Sequence, residues 1–170
     1  MFRKLRACAT AMRRTISDLL SQAEEIARGR GVEQPAAEHL VLAALQLPDG
    51  TAARALKRVG SSTAAFCAAL EAQEAEDLER VGVHADSDRI RAGLPQPAGP
   101  LGIYRSEPSA RQLFQAAGED ARRDGESLLG AHVLRAAAAL EHGSTARAFR
   151  RMRIDRTELQ TAATAGVDDC

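Results

Sequence analysis

The sequence contains one pattern twice, 93 residues apart, and this internal repeat constrains the fold more than any other feature. Residues 50–59 (GTAARALKRV) align with residues 143–152 (GSTARAFRRM), and both segments begin with glycine and carry two arginines four positions apart. Upstream, His39 and His132 each stand at the start of an apolar run. A period of this length, held over several segments, indicates a duplicated supersecondary unit.

The first copy has the periodicity of four α-helices. A stripe at spacings of three and four residues predicts the first helix, and it consists of Ile16, Leu19, Leu20, Ala23, Ile26 and Ala27. Thr15 with Asp18 resembles a capping box that starts this helix. Three further helices are predicted, over residues 35–46, 51–59 and 63–79.

The second copy repeats this order. Its stripe lies 94 residues after the first, and five of its six residues are apolar: Ala110, Leu113, Phe114, Ala117, Asp120 and Ala121. Between the copies, prolines and glycines interrupt every periodic pattern, which is typical of a linker. We therefore predict a lead-in, a first repeat, a linker, a second repeat and a tail, at residues 1–13, 14–80, 81–107, 108–165 and 166–170.

The composition favours an all-α protein. Aromatic residues make up only 3% of the sequence and tryptophan is absent, so alanine and leucine have to fill the core, which suits closely packed helices. The 23 basic side chains equal the 23 acidic ones, which predicts no general attraction to nucleic acid or to anionic membranes. No apolar run is long enough to span a bilayer. Cys8, Cys67 and Cys170 match neither a disulfide framework nor a zinc site, which favours a reducing cytoplasm.

The repeated segments resemble the Clp N-terminal repeat, the substrate-receiving domain of Clp-type AAA+ unfoldases. The first copy carries the family's glycine after the first helix, its Glu-His-apolar helix start and its Gly-x-Ala-Ala-x-x-Leu motif at Gly31, residues 38–42 (EHLVL) and residues 50–56 (GTAARAL). The second copy carries the same order more weakly at Gly125, residues 130–134 and residues 143–149. The resemblance covers residues 14–165.

The resemblance implies an eight-helix, pseudo-twofold domain that binds protein clients, adaptors or Clp unfoldase subunits and uses no cofactor. The sequence has no Gly-x-x-x-x-Gly-Lys-Ser/Thr loop, so we expect a stand-alone form without AAA+ modules, acting as an adaptor, decoy or client receptor in bacterial proteolysis. In some relatives, the Glu of the helix start binds phosphoarginine. Glu38 keeps that position, but Ala131 replaces it in the second repeat. Arg13 and Glu107 replace the assisting threonines, so at best one half-site remains.

Two arginine pairs are a second candidate for partner binding. Arg54 and Arg58 are four residues apart on one predicted third helix and so lie on one face of it. Arg147 and Arg151 repeat this spacing on the other third helix. These pairs are either solvated surface or a symmetric basic patch that meets an acidic partner. The acidic end of the fourth helix, residues 71–79, is expected to be a solvated face.

The remaining polar motifs are assigned to structure rather than to chemistry. His39 and His132 stand in the first turn of a buried helix, where a histidine usually bonds the backbone of the adjoining loop. Gly50 and Gly143 start the third-helix motif in each copy. The Glu38–His39 pair has no second histidine one turn away, so no metal site is predicted. No nucleophile stands at a recognisable spacing from a base, and we predict no enzymatic activity.

The basic lead-in, residues 1–13, leaves a second functional class open. Its arginines and lysine alternate with apolar residues, as in an arm that contacts nucleic acid. A nucleic-acid-associated regulator predicts salt-sensitive DNA binding that is lost when this segment is removed. We prefer the protein-binding module, because the double repeat supports it and the balanced charge does not favour nucleic acid.

Overall fold

The computed structural model describes residues 2–80 and 106–168, and within these residues the chain is helical without strands. The eight helices of this part of the chain are α1 (Phe2–Gly29), α2 (Ala37–Gln46), α3 (Thr51–Arg58), α4 (Thr63–Arg80), α5 (Pro108–Asp124), α6 (Gly130–Ala138), α7 (Ser144–Arg151) and α8 (Arg156–Asp168). The first four and the last four follow the two copies of the sequence repeat. The predicted eight-helix, all-α fold is therefore confirmed.

Helix α1 is longer than the sequence pattern predicts. It begins at Phe2, so Thr15 and Asp18 lie in its middle and the predicted capping box is wrong. The sequence from Phe2 to Thr15 contains neither proline nor glycine, so nothing ends the helix before the amphipathic stripe. The stripe itself is the buried face of α1, with its most buried members at Leu19, Ala23 and Ala27.

One hydrophobic core joins the two repeats. Helices α2 and α6 pack against each other at its centre, and each also packs against the first helix of its own repeat, α1 or α5. Alanine and leucine dominate the core, as the composition predicts, and Phe66 and Phe149 are its largest fully buried side chains. Their ring centroids are 5.4 Å apart, with the ring planes tilted by 36°.

The fourth helices are exchanged between the repeats. Helix α3 of the first repeat packs against α8 of the second, and α7 of the second repeat packs against α4 of the first. The contact between Phe66 in α4 and Phe149 in α7 lies at this boundary. Each third helix therefore packs against the fourth helix of the other repeat.

The two halves differ in how the fourth helix meets the central helix. Helix α8 packs along α6, and Gly166 lies where α8 meets both α3 and α6, because a Cβ there would lie 3.4 Å from the Thr51 carbonyl oxygen and 3.7 Å from Ala131 Cβ. Helix α4 makes few contacts with α2. The residue of α4 that aligns with Gly166 is Gln73, which is 6% exposed. The first repeat therefore buries a long polar side chain at the position where the second repeat has no side chain.

Several sequence predictions fall on residues outside the described part of the chain. They concern most of the linker (residues 81–105), the side chains of the basic lead-in up to residue 12, and the last two residues of the tail. The repeat boundaries and the nucleic-acid alternative therefore stay predictions. At the described end of the linker, the Glu107 N–H donates to the Pro35 carbonyl oxygen at 2.9 Å, and this bond holds the start of α5 beside the start of α2.

Candidate functional site

A groove of about 530 Å³ opens at the start of α2. Helix α2 begins at Ala37 rather than at the predicted Pro35, because Ala36 has an extended backbone. The start of α5 forms one wall, where Ser109 Oγ accepts a hydrogen bond from the Ala37 N–H at 3.3 Å. The loop before α7 forms the other wall, so the groove lies between the two repeats. Its polar lining includes Glu38, Glu107, Ser109, His142 and Thr145.

Glu38, a predicted binding residue, lines this groove from the first turn of α2. Burial raises the pKa of its carboxyl group above the ordinary value, although its own backbone N–H and the guanidinium groups of Arg30 and Arg147 act in the opposite direction. A half-buried carboxyl group of this kind is a strong site for a hydrogen-bond donor or a cation, because water competes poorly for it.

Thr145, which sequence reasoning missed, supplies a second polar group to the groove. The residue is 1% exposed, and its Oγ1 has no hydrogen-bond partner among the described residues. A buried hydroxyl group without a partner costs free energy, so it marks a place where a bound group can complete the hydrogen bonding. No sequence signal could have found it, because the aligned residue of the first repeat is Ala52.

The equivalent helix start in the second repeat is closed by the chain itself. Ala131 stands where the first repeat has Glu38, and its N–H donates to Thr51 Oγ1 at 2.8 Å. Asp49 accepts hydrogen bonds from the Thr51 N–H at 2.8 Å and from the Gly130 N–H at 3.1 Å. The two equivalent helix starts are therefore different surfaces, and the groove belongs to that of α2.

The two histidines bond the backbone at the starts of the central helices. His39 Nδ1 accepts a hydrogen bond from the Ala36 N–H, and His132 Nδ1 accepts one from the Leu129 N–H, both at 3.0 Å. Burial lowers the pKa of His39 to about 4, and the nearby Arg30 acts in the same direction. Burial also lowers the pKa of His132. Both rings are therefore neutral at pH 7 and able to accept these bonds.

Gly50 and Gly143 stand immediately before α3 and α7. Their φ angles are 64° and 92°, in the left-handed region where an L side chain is strained. A Cβ on Gly50 would also lie 3.2 Å from Arg54 Nη1. These requirements explain why both copies of the third-helix motif begin with glycine.

The predicted arginines of α3 bond backbone carbonyl groups. Arg54 Nη1 donates to the Asp49 carbonyl oxygen at 3.0 Å, and Arg58 Nη1 donates to the Ala162 carbonyl oxygen in α8 at 3.3 Å. Both side chains are exposed. Arg58 also lines an open groove of about 540 Å³ between α3 and α8. A role for this pair in partner binding stays a prediction.

The predicted arginines of α7 are paired with α4 instead. Arg147 Nη2 lies 3.1 Å from Asp77 Oδ2, and Arg151 Nη1 lies 2.5 Å from Glu76 Oε1. The acidic end of α4 is therefore only partly solvated, and it supplies carboxylates to a helix of the other repeat. The structure brings Glu38 and Arg147 close enough to interact electrostatically, whereas the α3 pair belongs to a different surface.

Metal ligands and membrane spans are not found in the described part of the chain. Among residues 2–80 and 106–168, no three His, Cys, Asp or Glu side chains are grouped so as to hold a metal ion. No helix within the same ranges combines the length and the apolar character that crossing a membrane requires. Cys67 is a half-buried free thiol on α4.

A family model matches the first repeat and a few residues on either side of it. Residues 12–91 match the family model described as the Clp repeat (R) N-terminal domain. Over these residues the chain is similar to a Clp repeat N-terminal domain. This finding confirms the resemblance that the sequence motifs indicate. No curated protein matches the chain.

Two solved N-terminal domains share the fold of this chain. That of the caseinolytic protease associated chaperone ClpD from Arabidopsis thaliana is 17% identical, with a TM-score of 0.55 over 90% of this chain and 94% of that chain. The Hsp104 N-terminal domain from Candida albicans is 18% identical, with a TM-score of 0.55 over 86% of this chain and 84% of that chain. Because both comparisons span the two repeats, the shared fold extends beyond residues 12–91.

Proposed function

We propose that this Clp repeat domain is a non-catalytic protein-binding module and that it contacts its partners through the groove at the start of α2. Its partners are protein clients, adaptors or Clp unfoldase subunits, and it acts as an adaptor, decoy or client receptor in bacterial cytoplasmic proteolysis. The family match and the two chaperone N-terminal domains of the same fold support the protein-binding role. The 170-residue sequence contains no phosphate-binding loop motif, which supports binding without ATP-driven work by these residues.

The observation that carries the proposal is that one groove is lined by the Glu38 carboxyl group and by Thr145, whose hydroxyl group has no hydrogen-bond partner among the described residues. Glu107 adds a second carboxylate to the lining, and among the described residues no lysine or arginine lines the groove. This lining favours a partner segment that inserts an ammonium or guanidinium group, and it repels a phosphate group. Val32 and Leu140 offer apolar contact to the stem of such a basic side chain.

Peptide binding tests the groove directly. Fluorescently labelled unfolded peptides with a central arginine are compared with the same peptides carrying glutamate at that position. We expect the arginine peptides to bind more tightly, and Glu38→Gln to weaken their binding about tenfold, because a charged hydrogen bond is lost. Glu33→Gln is the matched control, since Glu33 is exposed nearby and does not line the groove. Equal binding by the two variants would contradict the proposal.

Affinity capture tests the cellular role. The unaltered chain and the Glu38→Gln variant are used as bait in a native cytoplasmic extract, and the captured proteins are identified by mass spectrometry. We expect Clp components, adaptors or unfolded proteins to be captured by the unaltered chain and depleted with the variant. Capture of none of these three classes would count against the proposed function.

A further inference from the structure

The acidic end of α4, defined here as residues 71–80, covers the basic ridge of α7, defined here as Arg147 and Arg151. Arg147 donates to both carboxylate oxygens of Asp77, at 3.4 and 3.1 Å. Arg151 Nη1 donates to Glu76 Oε1 at 2.5 Å. The ridge is therefore occupied by two adjacent carboxylates on a helix.

The two halves of α4 are held by different forces. In its first half, Phe66 packs on Phe149 in the core and Leu70 is 2% exposed. In the acidic end of α4, ion pairs take over, and the bond of Arg30 Nη1 to Glu74 Oε1 at 2.7 Å adds to the two on the ridge. The first half is thus anchored by apolar burial and the acidic end mainly by charge.

The ion pairs between α7 and the acidic end of α4 are weak. The four side chains of the two α7 ion pairs are 43–45% exposed, and a pair of this exposure shifts an equilibrium by less than about fivefold. Gln73 opposes docking, because neither atom of its buried amide has a hydrogen-bond partner among the described residues. In the second repeat, α8 has Gly166 at the position of Gln73 and packs along α6. No side-chain amide at that position therefore opposes the docking of α8.

We propose that the basic ridge of α7 is an interaction surface for an acidic helical segment of a partner protein, and that the acidic end of α4 occupies the ridge until such a segment displaces it. The chain's own contact defines the chemistry of the partner, which presents adjacent carboxylates, as Glu76 and Asp77 do, to arginines one helical turn apart. Displacement also uncovers the Gln73 amide, whose donor and acceptor can bond a partner main chain. This surface is separate from the α2 groove.

A peptide of residues 63–80 with Cys67 replaced by serine serves as the acidic probe. Glu76→Gln with Asp77→Asn in the full chain removes the carboxylates that cover the ridge. We expect this uncovered chain to bind the labelled peptide about fivefold more tightly than the unaltered chain does. Adding Arg147→Gln and Arg151→Gln is expected to abolish that gain. In the unaltered chain, saturating peptide is expected to speed amide hydrogen exchange in residues 71–80.

Two matched controls make the test specific. Arg150→Gln removes an exposed arginine from the same helix, and we expect it to change binding by less than about twofold. A peptide with Gln and Asn in place of Glu76 and Asp77 is expected not to bind. Circular dichroism verifies that each variant is folded. The proposal would be overturned if the two peptides bound equally, or if Arg150→Gln reduced binding as much as Arg147→Gln with Arg151→Gln does. It would also be overturned if the peptide did not bind the uncovered chain. Binding that depends on Glu38 instead would overturn it and assign the peptide to the α2 groove.

Discussion

At the scale of single residues, the two repeats share their capping chemistry and differ in their exposed polar chemistry. His39 and His132 accept equivalent backbone hydrogen bonds at the starts of the two central helices. Glu38, in contrast, faces a groove, whereas Ala131 at the aligned position is 0% exposed. The duplicated residues therefore maintain the fold, and the residues that were not duplicated carry the candidate site.

The buried histidines make stability depend on pH. The pKa of His39 is lowered to about 4, so between this value and 6.5 the unfolded chain binds more protons than the folded one. The contribution of the neutral His39 ring to the free energy of unfolding is therefore complete above about pH 6.5, and it is lost as the pH falls towards 4. We expect urea denaturation to report a loss on the order of 2–3 kcal/mol across this range.

His39→Asn tests the source of this pH dependence, because the asparagine oxygen can accept the same N–H without titrating. We expect the slope of stability against pH to decrease but not to vanish, since the pKa of His132 is lowered as well. His142→Gln, on an exposed side chain, is the control. An unchanged slope in His39→Asn would show that other groups dominate acid unfolding.

Thr145→Val tests whether the buried hydroxyl group serves binding rather than folding. Valine has nearly the same shape and removes the unpaired Oγ1, so we expect the free energy of unfolding to rise by about 1 kcal/mol. Binding of arginine peptides is expected to weaken in the same variant. Thr145→Ser, which keeps the hydroxyl group, is expected to retain binding. A less stable Thr145→Val protein would mean that the hydroxyl group has a partner within the fold.

At the scale of secondary-structure elements, Asp49 ties together two helix starts from different repeats. Its carboxylate accepts hydrogen bonds from the backbone and hydroxyl groups of Thr51 and from the Gly130 N–H. We expect Asp49→Ala to lower the free energy of unfolding by about 2–4 kcal/mol, because it leaves donors at the starts of α3 and α6 unpaired. Urea denaturation measures the change, with the exposed Glu126→Ala as control. A loss below about 0.5 kcal/mol would contradict the capping role.

A helix and its buried face could be predicted from the sequence where one periodic pattern defines them. Contacts between helices that are distant in the sequence could not be predicted. The stripe of α5 illustrates both cases. Its apolar positions predict the buried face, while Asp120, the exception in the stripe, pairs with Arg135 of α6 at 3.1 Å. The ion pairs of Arg147 and Arg151 likewise require the packing of α7 on α4. That the Thr145 hydroxyl group finds no partner among the described residues is a property of the folded groove alone.

At the scale of the whole molecule, the exchange of the fourth helices makes the two repeats mutually dependent. Residues 1–80 contain α4 without its partner α7, and residues 81–170 contain α8 without its partner α3. We expect neither fragment to show cooperative thermal unfolding by circular dichroism when it is alone. Mixing the two fragments is expected to restore helicity and cooperativity. Cooperative unfolding of one isolated fragment would contradict the shared core.

The same exchange has a consequence for how the fold depends on protein concentration. A chain with a single repeat would complete its third helix only against the fourth helix of a second copy, so it would be a homodimer that comes apart on dilution. Joining both copies in one chain makes this encounter intramolecular, at an effective concentration on the order of millimolar. The domain can therefore stay folded when only a few molecules of it are present in a cell.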